Sequence, residues 1–212
     1  FGLWQGSTLI NHGTINANLH TDGNEHNGKH ANVVNYGSIR GIGWIDSTDV
    51  LLNYGEVTLN EAQYSTGALY NLGTASTDDS NEWLDLLMDV LNWGDFKVGG
   101  ALNLCSSRWF YNRGILYLNE SAHVTVNGTL INFDSFELEE GAQFYGDGIL
   151  ENYGNLNCRS EEVYFGGILL GAGGLVRAYT KGAKIAVDAA GKSMKRVWTV
   201  LYVPCPYTFY ER

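Results

Sequence analysis

Four side chains within residues 20–30 have the chemistry of metal ligands, namely His20, Asp22, His26 and His30. Imidazole nitrogen and carboxylate oxygen are donors with which proteins commonly bind zinc. Their spacing matches no established metal-binding motif, and the stretch is rich in Asn and Gly, as solvated turns usually are. The sequence therefore predicts a polar surface loop here and no metal cofactor.

The acidic stretch at residues 76–82 offers a second set of oxygen ligands. It reads Ser-Thr-Asp-Asp-Ser-Asn-Glu, and carboxylates are the usual ligands of calcium. It lacks the regular spacing of Asp and Gly that characterises calcium-binding loops, and runs of charge are usually solvated. We predict an exposed acidic loop, followed at residues 83–90 by one strand with a bulge.

Catalytic chemistry requires acids, bases or nucleophiles that converge on one point. The sequence contains no recognisable Ser/His/Asp or Cys/His constellation, and no glycine-rich loop precedes a helix as phosphate-binding loops do. The residues three and five positions after a recurring asparagine, described below, do not gather carboxylates in neighbouring repeats. The sequence therefore predicts neither an enzyme nor a bound cofactor.

Three cysteines, Cys105, Cys158 and Cys205, complete the set of reactive side chains. They lie at different phases of the sequence repeat, so they do not form one stacked column. An odd number allows at most one intrachain disulfide, and a remaining thiol is either buried or paired with another chain. Cys205 is the candidate for a bond between molecules.

An Asn-x-Gly repeat is the element that must position all of these groups. The residue numbers of successive asparagines differ by 24, 18, 18, 21, 20, 20 and 20, and the glycine is replaced once, by Asp134. The residues two positions before and four positions after each asparagine are apolar. A fixed internal pattern with a period of roughly 20 residues indicates a repeat architecture. We call the repeated residues the ladder asparagines: Asn11, Asn35, Asn53, Asn71, Asn92, Asn112, Asn132 and Asn152.

The spacing of the apolar positions indicates which secondary structure each repeat forms. Apolar residues alternate with polar ones around each ladder asparagine, which is the period of a β-strand. One repeat buries little by itself, whereas stacked repeats bury a continuous core. The sequence therefore predicts an all-β, single-stranded parallel β-solenoid of about nine coils of 18–24 residues, with Gly171 at the ladder position of the ninth. In-register asparagines would stack as a hydrogen-bonded ladder.

The repeated L-x-N-x-G-x-(I/V)-x-L pattern, clearest at residues 51–59, resembles the coils of right-handed parallel β-helix proteins. It is particularly similar to the repeat regions of bacterial surface adhesins of the filamentous-haemagglutinin type. The resemblance covers roughly residues 7–176 and implies an extracellular or cell-surface location. It carries over no active-site residue, because proteins with this fold include adhesins, polysaccharide lyases and phage fibres.

The residue that directly follows each ladder asparagine is often aromatic. If the asparagine points inward, the alternation of a strand turns this next residue outward. An exposed row of aromatic side chains marks a contact site for sugar rings or for another protein, although stacked aromatics can also simply cover a corner. The candidate contact residues are Tyr36, Tyr54, Trp93, Phe133 and Tyr153.

Charge is divided unevenly along the chain. The net charge is −10, and residues 171–212 carry seven basic against two acidic residues, which is +5, so residues 1–170 carry −15. An acidic body repels phosphates, so we expect no nucleic acid as its partner. No apolar run reaches the length of about 18 residues that a membrane-spanning helix requires, so we expect no membrane insertion.

We predict three segments: residues 1–8 as a lead-in or cap, residues 9–176 as the solenoid, and residues 177–212 as a basic, aromatic, β-rich cap or assembly tail. The predicted function is a non-enzymatic extracellular structural protein, an adhesin segment or fibre subunit that stacks head to tail with copies of itself. The alternative is a carbohydrate-binding or carbohydrate-active β-helix that uses the aromatic row. The candidate assembly residues are Trp198, Tyr202, Cys205, Tyr207 and Phe209.

Overall fold

The computed structural model describes residues 1–4, 6–22, 29–60, 66–77 and 83–171. These residues form β-strands joined by short corners, and the described part of the chain contains no helix. Every strand pairing in it is parallel, and each strand pairs with its counterpart one coil earlier or later. The predicted all-β parallel solenoid is confirmed.

The first of three sheets contains the ladder asparagines and is called the ladder sheet. Each of its strands pairs with the next in strict register, so that Asn92 lies opposite Asn71 on one side and Asn112 on the other. Its strands, in spatial order, are β2 (Thr8–Asn11), β5 (Asn32–Asn35), β7 (Val50–Asn53), β9 (Ala68–Asn71), β12 (Asp89–Asn92), β15 (Trp109–Asn112), β18 (Thr129–Asn132), β21 (Ile149–Asn152) and β24 (Ile168–Gly171).

Gly171 in β24 pairs with Asn152, so the ninth coil takes the predicted register. Nine stacked strands are separated by eight complete turns of the chain. At this last level the inward residues Leu169 and Gly171 are partly exposed, whereas the corresponding residues of inner coils are buried.

The second sheet follows each ladder asparagine after a two-residue corner. Its strands are β1 (Gly2–Trp4), β3 (Thr14–Ile15), β4 (Leu19–Asp22), β6 (Ser38–Trp44), β8 (Glu56–Leu59), β10 (Thr74–Thr77), β13 (Asp95–Val98), β16 (Ile115–Leu118), β19 (Ser135–Leu138) and β22 (Asn155–Cys158). Both β3 and β4 pair with the long strand β6, which carries a register shift between Arg40 and Ile42.

The third sheet is present only from Leu84 onward in the described residues. Its strands are β11 (Leu84–Leu86), β14 (Ala101–Leu104), β17 (His123–Val126), β20 (Gln143–Gly146) and β23 (Glu162–Phe165). The prediction of one bulged strand over residues 83–90 is therefore wrong. The chain forms β11 and β12 there, with a corner at Leu87 and Met88, because Met88 turns into the core and is fully buried.

The polar loop predicted over residues 20–30 is wrong for its first three residues, and residues 23–28 lie outside the described residues. Residues 20–22 belong to β4, in which Leu19 and Thr21 point inward and are buried while His20 and Asp22 are exposed. Buried Thr21 is satisfied because its hydroxyl oxygen accepts a hydrogen bond from the backbone N–H of Asp46 at 3.1 Å. The hydrophobic pattern alone does not predict this strand, because one of its inward residues is a threonine.

The core is a continuous column of aliphatic and aromatic side chains between the sheets. Inward positions alternate with outward ones in nearly every strand, and the largest fully buried side chains include Phe96, Phe136 and Phe144. Phe136 and Phe144 contact each other edge to face at 5.5 Å between ring centroids. Burying a side chain of this size contributes about 1.5–3 kcal/mol, and this repeated contribution holds the coils together.

Candidate functional site

The ladder asparagines form a continuous chain of side-chain hydrogen bonds through the buried interior. Each Nδ2 donates to the Oδ1 of the asparagine one coil later, at 2.8 Å for the first pair and 2.7 Å for the other six. All eight side chains are buried. The predicted ladder is confirmed, and its role is structural because none of these amides is open to a ligand.

Each ladder amide also fixes the corner that follows it. The Nδ2 group of Asn35, for example, donates to the carbonyl oxygen of Gly37 at 3.2 Å and to that of Glu56, one coil later, at 2.8 Å. A buried amide is costly unless its donors and acceptors are paired. The ladder therefore offsets this cost by bonding to both the side chain and the backbone of the next coil.

Glycine occupies the second residue of nearly every corner because the corners of successive coils pack backbone against backbone. A Cβ atom added at Gly55, Gly73 or Gly94 would overlap the carbonyl oxygen of the corresponding glycine one coil earlier. Asp134 is the one residue at this position of the corners that is not glycine.

The aromatic row lies along the outer edge of the ladder sheet, at the start of these corners. The predicted contact residues are all exposed, and the exposed fraction of the side chain ranges from 38% for Phe133 to 59% for Tyr153. The hydroxyl of Tyr153 donates a hydrogen bond to the carboxylate of Glu151 at 2.9 Å, and this bond raises the pKa of Tyr153. The five members of the aromatic row are Tyr36, Tyr54, Trp93, Phe133 and Tyr153.

Most rings of the aromatic row stack on each other. The Tyr36 ring lies 5.0 Å from those of His12 and Tyr54, with interplanar angles of 5° and 6°. Phe133 stacks on Tyr153 at 5.0 Å. Rings stacked in this way cover one another's faces and present their edges and hydroxyl groups to the solvent.

Trp93 is the member of the row whose neighbours in the column, Leu72 and Arg113, are not aromatic. Its ring lies nearly parallel to that of Tyr70, on the adjacent outward column, with 6.3 Å between the ring centroids and an interplanar angle of 10°. Sugar rings bind to open aromatic faces, so Trp93 is the residue of the row best placed to offer one. Edges of stacked rings are better suited to packing against another protein, where edge-to-face contacts are favourable.

The outward side of the ladder sheet is apolar beyond the aromatic row, which the sequence analysis missed. We call the side chains one and three positions before each ladder position the outer ladder face. The positions directly before the ladder residues are occupied by Ile10, Val34, Leu52, Tyr70, Leu91, Tyr111, Ile131, Glu151 and Leu170. In this column Ile10 and Leu170 are exposed and Ile131 is buried, while the other members are half-buried. The column is visible in the sequence, but its burial is not.

A second row of rings lies on the outer surface of the third sheet. Trp83 contacts His123 at 4.9 Å, His123 contacts Tyr145 at 5.2 Å, and Tyr145 stacks on Tyr164 at 5.8 Å. The hydroxyl of Tyr145 lies 3.5 Å from the Glu162 carboxylate. The sequence analysis missed this row because the strands that align it were not predicted separately.

Metal chemistry finds no support among the described residues, where no group of three or more His, Cys, Asp or Glu side chains is placed to hold an ion. Of the four candidate ligands, His20, Asp22 and His30 are exposed, and His26 lies outside the described residues. Most of the acidic stretch considered for calcium, residues 78–82, lies outside them as well.

The two cysteines that the structure describes do not form a disulfide with each other. Partial burial, with a smaller contribution from Asp85, raises the pKa of the Cys105 thiol, which makes it a poor nucleophile at neutral pH. The assembly residues Trp198, Tyr202, Cys205, Tyr207 and Phe209 all lie outside the described residues.

The solenoid and its surface rows define a repeat protein with an all-β parallel solenoid fold. Comparisons with known proteins match no family model, no curated protein and no solved structure. The fold implied by the resemblance to parallel β-helix proteins is thus present, while membership of the surface-adhesin group belongs to the proposal below. Within the described residues, no helix is long and apolar enough to cross a membrane.

Proposed function

We propose that the protein is a non-enzymatic extracellular structural protein, an adhesin segment or fibre subunit whose copies stack head to tail. The observation that carries the proposal is the pair of terminal strands in the ladder sheet. Among the residues that the structure describes, β2 at one end and β24 at the other each pair with a strand on one side only. Unpaired strand edges readily accept a strand from another chain.

Parallel pairing of β24 on β2 of the next copy would continue the ladder sheet across the joint. Such a head-to-tail contact uses two different surfaces and does not close on itself unless a rotation brings it back, so it builds a fibre. The charge distribution supports the same arrangement, because a segment of +5 is attracted to a body of −15. Residues 197–210 are proposed to contact the next molecule, with Cys205 available for an intermolecular bond.

Deleting residues 197–212 tests the role of this segment. We expect electron microscopy to show fibres of the full chain and dispersed particles of the shortened chain. The pairing of β24 with β2 involves only four residues of β24, and the deletion removes the second contact, which residues 197–210 are proposed to supply. Circular dichroism should show that the shortened chain keeps its β-structure. Fibres that survive the deletion would exclude the segment as the connector, and an unfolded product would show that it caps its own solenoid.

Glycan binding is the second candidate function, and the position of Trp93 favours it. This side chain is 44% exposed and lies between non-aromatic neighbours in its column. If Trp93 stacks on a sugar ring, Trp93→Ala should weaken glycan binding by about 0.5–1.5 kcal/mol, the scale of one aromatic contact. The readout is affinity on a glycan array, followed by titration calorimetry of the best ligand.

The matched control for glycan binding is Tyr54→Ala, which removes a ring from the stacked part of the row. It should change glycan affinity less than Trp93→Ala, because the faces of the Tyr54 ring are covered in part by its neighbour. Equal affinity of the wild type and the Trp93 variant for every glycan that binds would count against this second function.

A further inference from the structure

We propose that a polar groove on the outer side of the second sheet binds an acidic saccharide, one whose sugar rings carry carboxylates. The groove crosses strands β6, β8, β10 and β13 and has a volume of about 470 Å³. Sites for small ligands measure about 300–1,000 Å³, so the groove is large enough for one. It lies apart from the aromatic row and from the ends of the ladder sheet, and the proposal does not depend on the proposed function.

The groove is formed by short side chains that lie between long ones. Thr58 and Ser76 are paired in register on neighbouring strands, and the same outward column continues to Arg40 at one end and Lys97 at the other. Beyond Lys97 the column continues with the large side chain of Tyr117. The adjacent outward column contributes Ser38, Glu56 and Thr74. The four hydroxyl side chains therefore form the floor, and the long charged side chains stand around it.

The floor suits a ligand that carries many hydroxyl groups. Among the described residues, one side-chain hydrogen bond is made by these four hydroxyls, from Ser76 Oγ to Thr58 Oγ1 at 3.4 Å. Each hydroxyl can donate one hydrogen bond and accept two, so most of this capacity is open to a ligand. Small-ligand sites are usually lined by apolar side chains, whereas hydroxyl and charged groups predominate here. A saccharide matches this lining better than an apolar ligand does.

The two cations at the ends of the column predict the charge of the ligand. Arg40 and Lys97 are exposed and are separated by three strand spacings, which is about 14 Å. Residues 1–170 carry a charge of −15, yet the one ion pair among the described residues joins Arg159 to Glu139. Neither cation of the groove is thus neutralised by a described carboxylate at contact distance. A guanidinium group binds a carboxylate through two parallel hydrogen bonds, so each end can hold an acidic group of the ligand.

The acidic residues of this surface limit how many charges the ligand carries. Glu56 lines the groove, and Asp95 faces outward two residues before Lys97. These carboxylates accept hydrogen bonds from sugar hydroxyls but repel an anion placed beside them. The ligand must therefore carry its carboxylates apart, with neutral parts of the sugar rings between them. This condition agrees with the expectation that the acidic body repels nucleic acid.

Strand β6 bends next to Arg40. Its register shifts between Arg40 and Ile42, and the intervening Gly41 has a φ of +126°, a conformation that other residues rarely adopt. A Cβ atom at Gly41 would also lie 2.6 Å from Asn18 Oδ1. Such β-bulges are common beside binding sites, where they redirect a side chain. The irregularity thus lies at the residue that the proposal assigns to the carboxylate.

The experiment begins with the full chain on a glycan array that presents oligosaccharides of glucuronate, galacturonate and sialic acid, their methyl esters, and neutral oligosaccharides. We expect binding to at least one carboxylated glycan. Its methyl ester keeps the hydroxyl groups but removes the charge, so it should bind at least about tenfold more weakly. Titration calorimetry then gives the dissociation constant of the best ligand. An end-to-end fibre leaves the sides of the solenoid open, so assembly does not prevent this measurement.

Arg40→Gln and Lys97→Gln should each raise this dissociation constant by about tenfold or more, because each removes a charged hydrogen-bond donor. The matched control is Arg113→Gln. The Arg113 guanidinium lies 5.2 Å from the centroid of the Phe133 ring, outside the groove, so its loss should leave the affinity unchanged. Equal effects of the Arg40 and Arg113 variants would show only a general attraction of anions and would overturn the proposal.

Ser76→Tyr tests the shape of the groove without changing its charge. The new ring would fill the floor and should abolish binding. Asn157→Tyr adds the same ring to an exposed position of the same column outside the groove and should have no effect. Circular dichroism checks that both variants keep their β-structure, and Thr58→Val, which removes one floor hydroxyl, replaces Ser76→Tyr if that variant misfolds.

Trp93→Ala separates this site from the aromatic row. It should leave the affinity for the acidic glycan unchanged. A loss of affinity in Trp93→Ala but not in Arg40→Gln would place the ligand on the aromatic row and overturn the proposal. Binding to no carboxylated glycan on the array would overturn it as well, while fibre formation, which electron microscopy measures, would be unaffected by either result.

Discussion

Replacing Asn92 by leucine should lower the free energy of unfolding by about 2–4 kcal/mol, because it leaves several buried polar atoms without partners. The Nδ2 group of Asn92 donates to Asn112 Oδ1 at 2.7 Å and to the carbonyl oxygens of Gly94 and Ile115 at 3.0 and 3.1 Å. Its Oδ1 accepts the bond from Asn71 at 2.7 Å. Leucine has a similar volume but can make none of these bonds.

The measurement is equilibrium unfolding in denaturant, with Asn157→Leu as the matched control. Asn157 is exposed and points outward from the second sheet, so its replacement should change the free energy of unfolding by less than about 0.5 kcal/mol. A loss for Asn92→Leu no greater than that of the control would mean that the ladder contributes nothing beyond the packing of its side chains.

Gly73→Ala is the second change from which we expect a large effect, with a loss of about 1–3 kcal/mol in the free energy of unfolding, as for overpacking of a well-packed interior. The added Cβ would overlap the carbonyl oxygen of Gly55 and approach the backbone of Tyr54. That carbonyl accepts the hydrogen bond from the backbone N–H of Thr74 at 2.8 Å. Relieving the overlap would therefore stretch the bond that joins two coils.

Gly13→Ala is the control for the steric argument. Gly13 occupies the same corner in the first coil, where a Cβ would meet nothing within 4 Å. The two variants make the same chemical change, so thermal unfolding should show a clear loss for Gly73→Ala and almost none for Gly13→Ala. Similar losses would indicate that the glycines are needed for backbone conformation rather than for close packing.

The sequence predicted the elements whose pattern is repeated and missed those whose pattern is not. Ladder asparagines at nearly constant spacing were enough to predict strand type, coil number and register, because a slip of one residue would move Asn112 out of the core. The third sheet follows corners of variable length, so β11 was merged with β12. Strand β4 was missed because its inward Thr21 is polar.

The candidate surfaces were predicted only in part, for a similar physical reason. The exposure of Tyr36 and Trp93 follows from strand alternation and was accessible from the sequence. The stacking of Tyr36 on Tyr54 depends on side-chain rotamers and on the distance between coils, which a sequence does not show. The apolar outer ladder face was overlooked because hydrophobic residues such as Leu52 and Leu91 are ordinarily assigned to a core.

The ladder also gives the solenoid a net side-chain dipole along its axis. In all seven bonds, the amide of one coil donates to the coil that is later in the sequence, so the side-chain dipoles add rather than cancel. One amide cannot reverse alone, because its oxygen would then face the carbonyl oxygens that now accept from Nδ2. The orientation is therefore set for the column as a whole. Copies joined end to end, as proposed above, would sum these dipoles along the fibre.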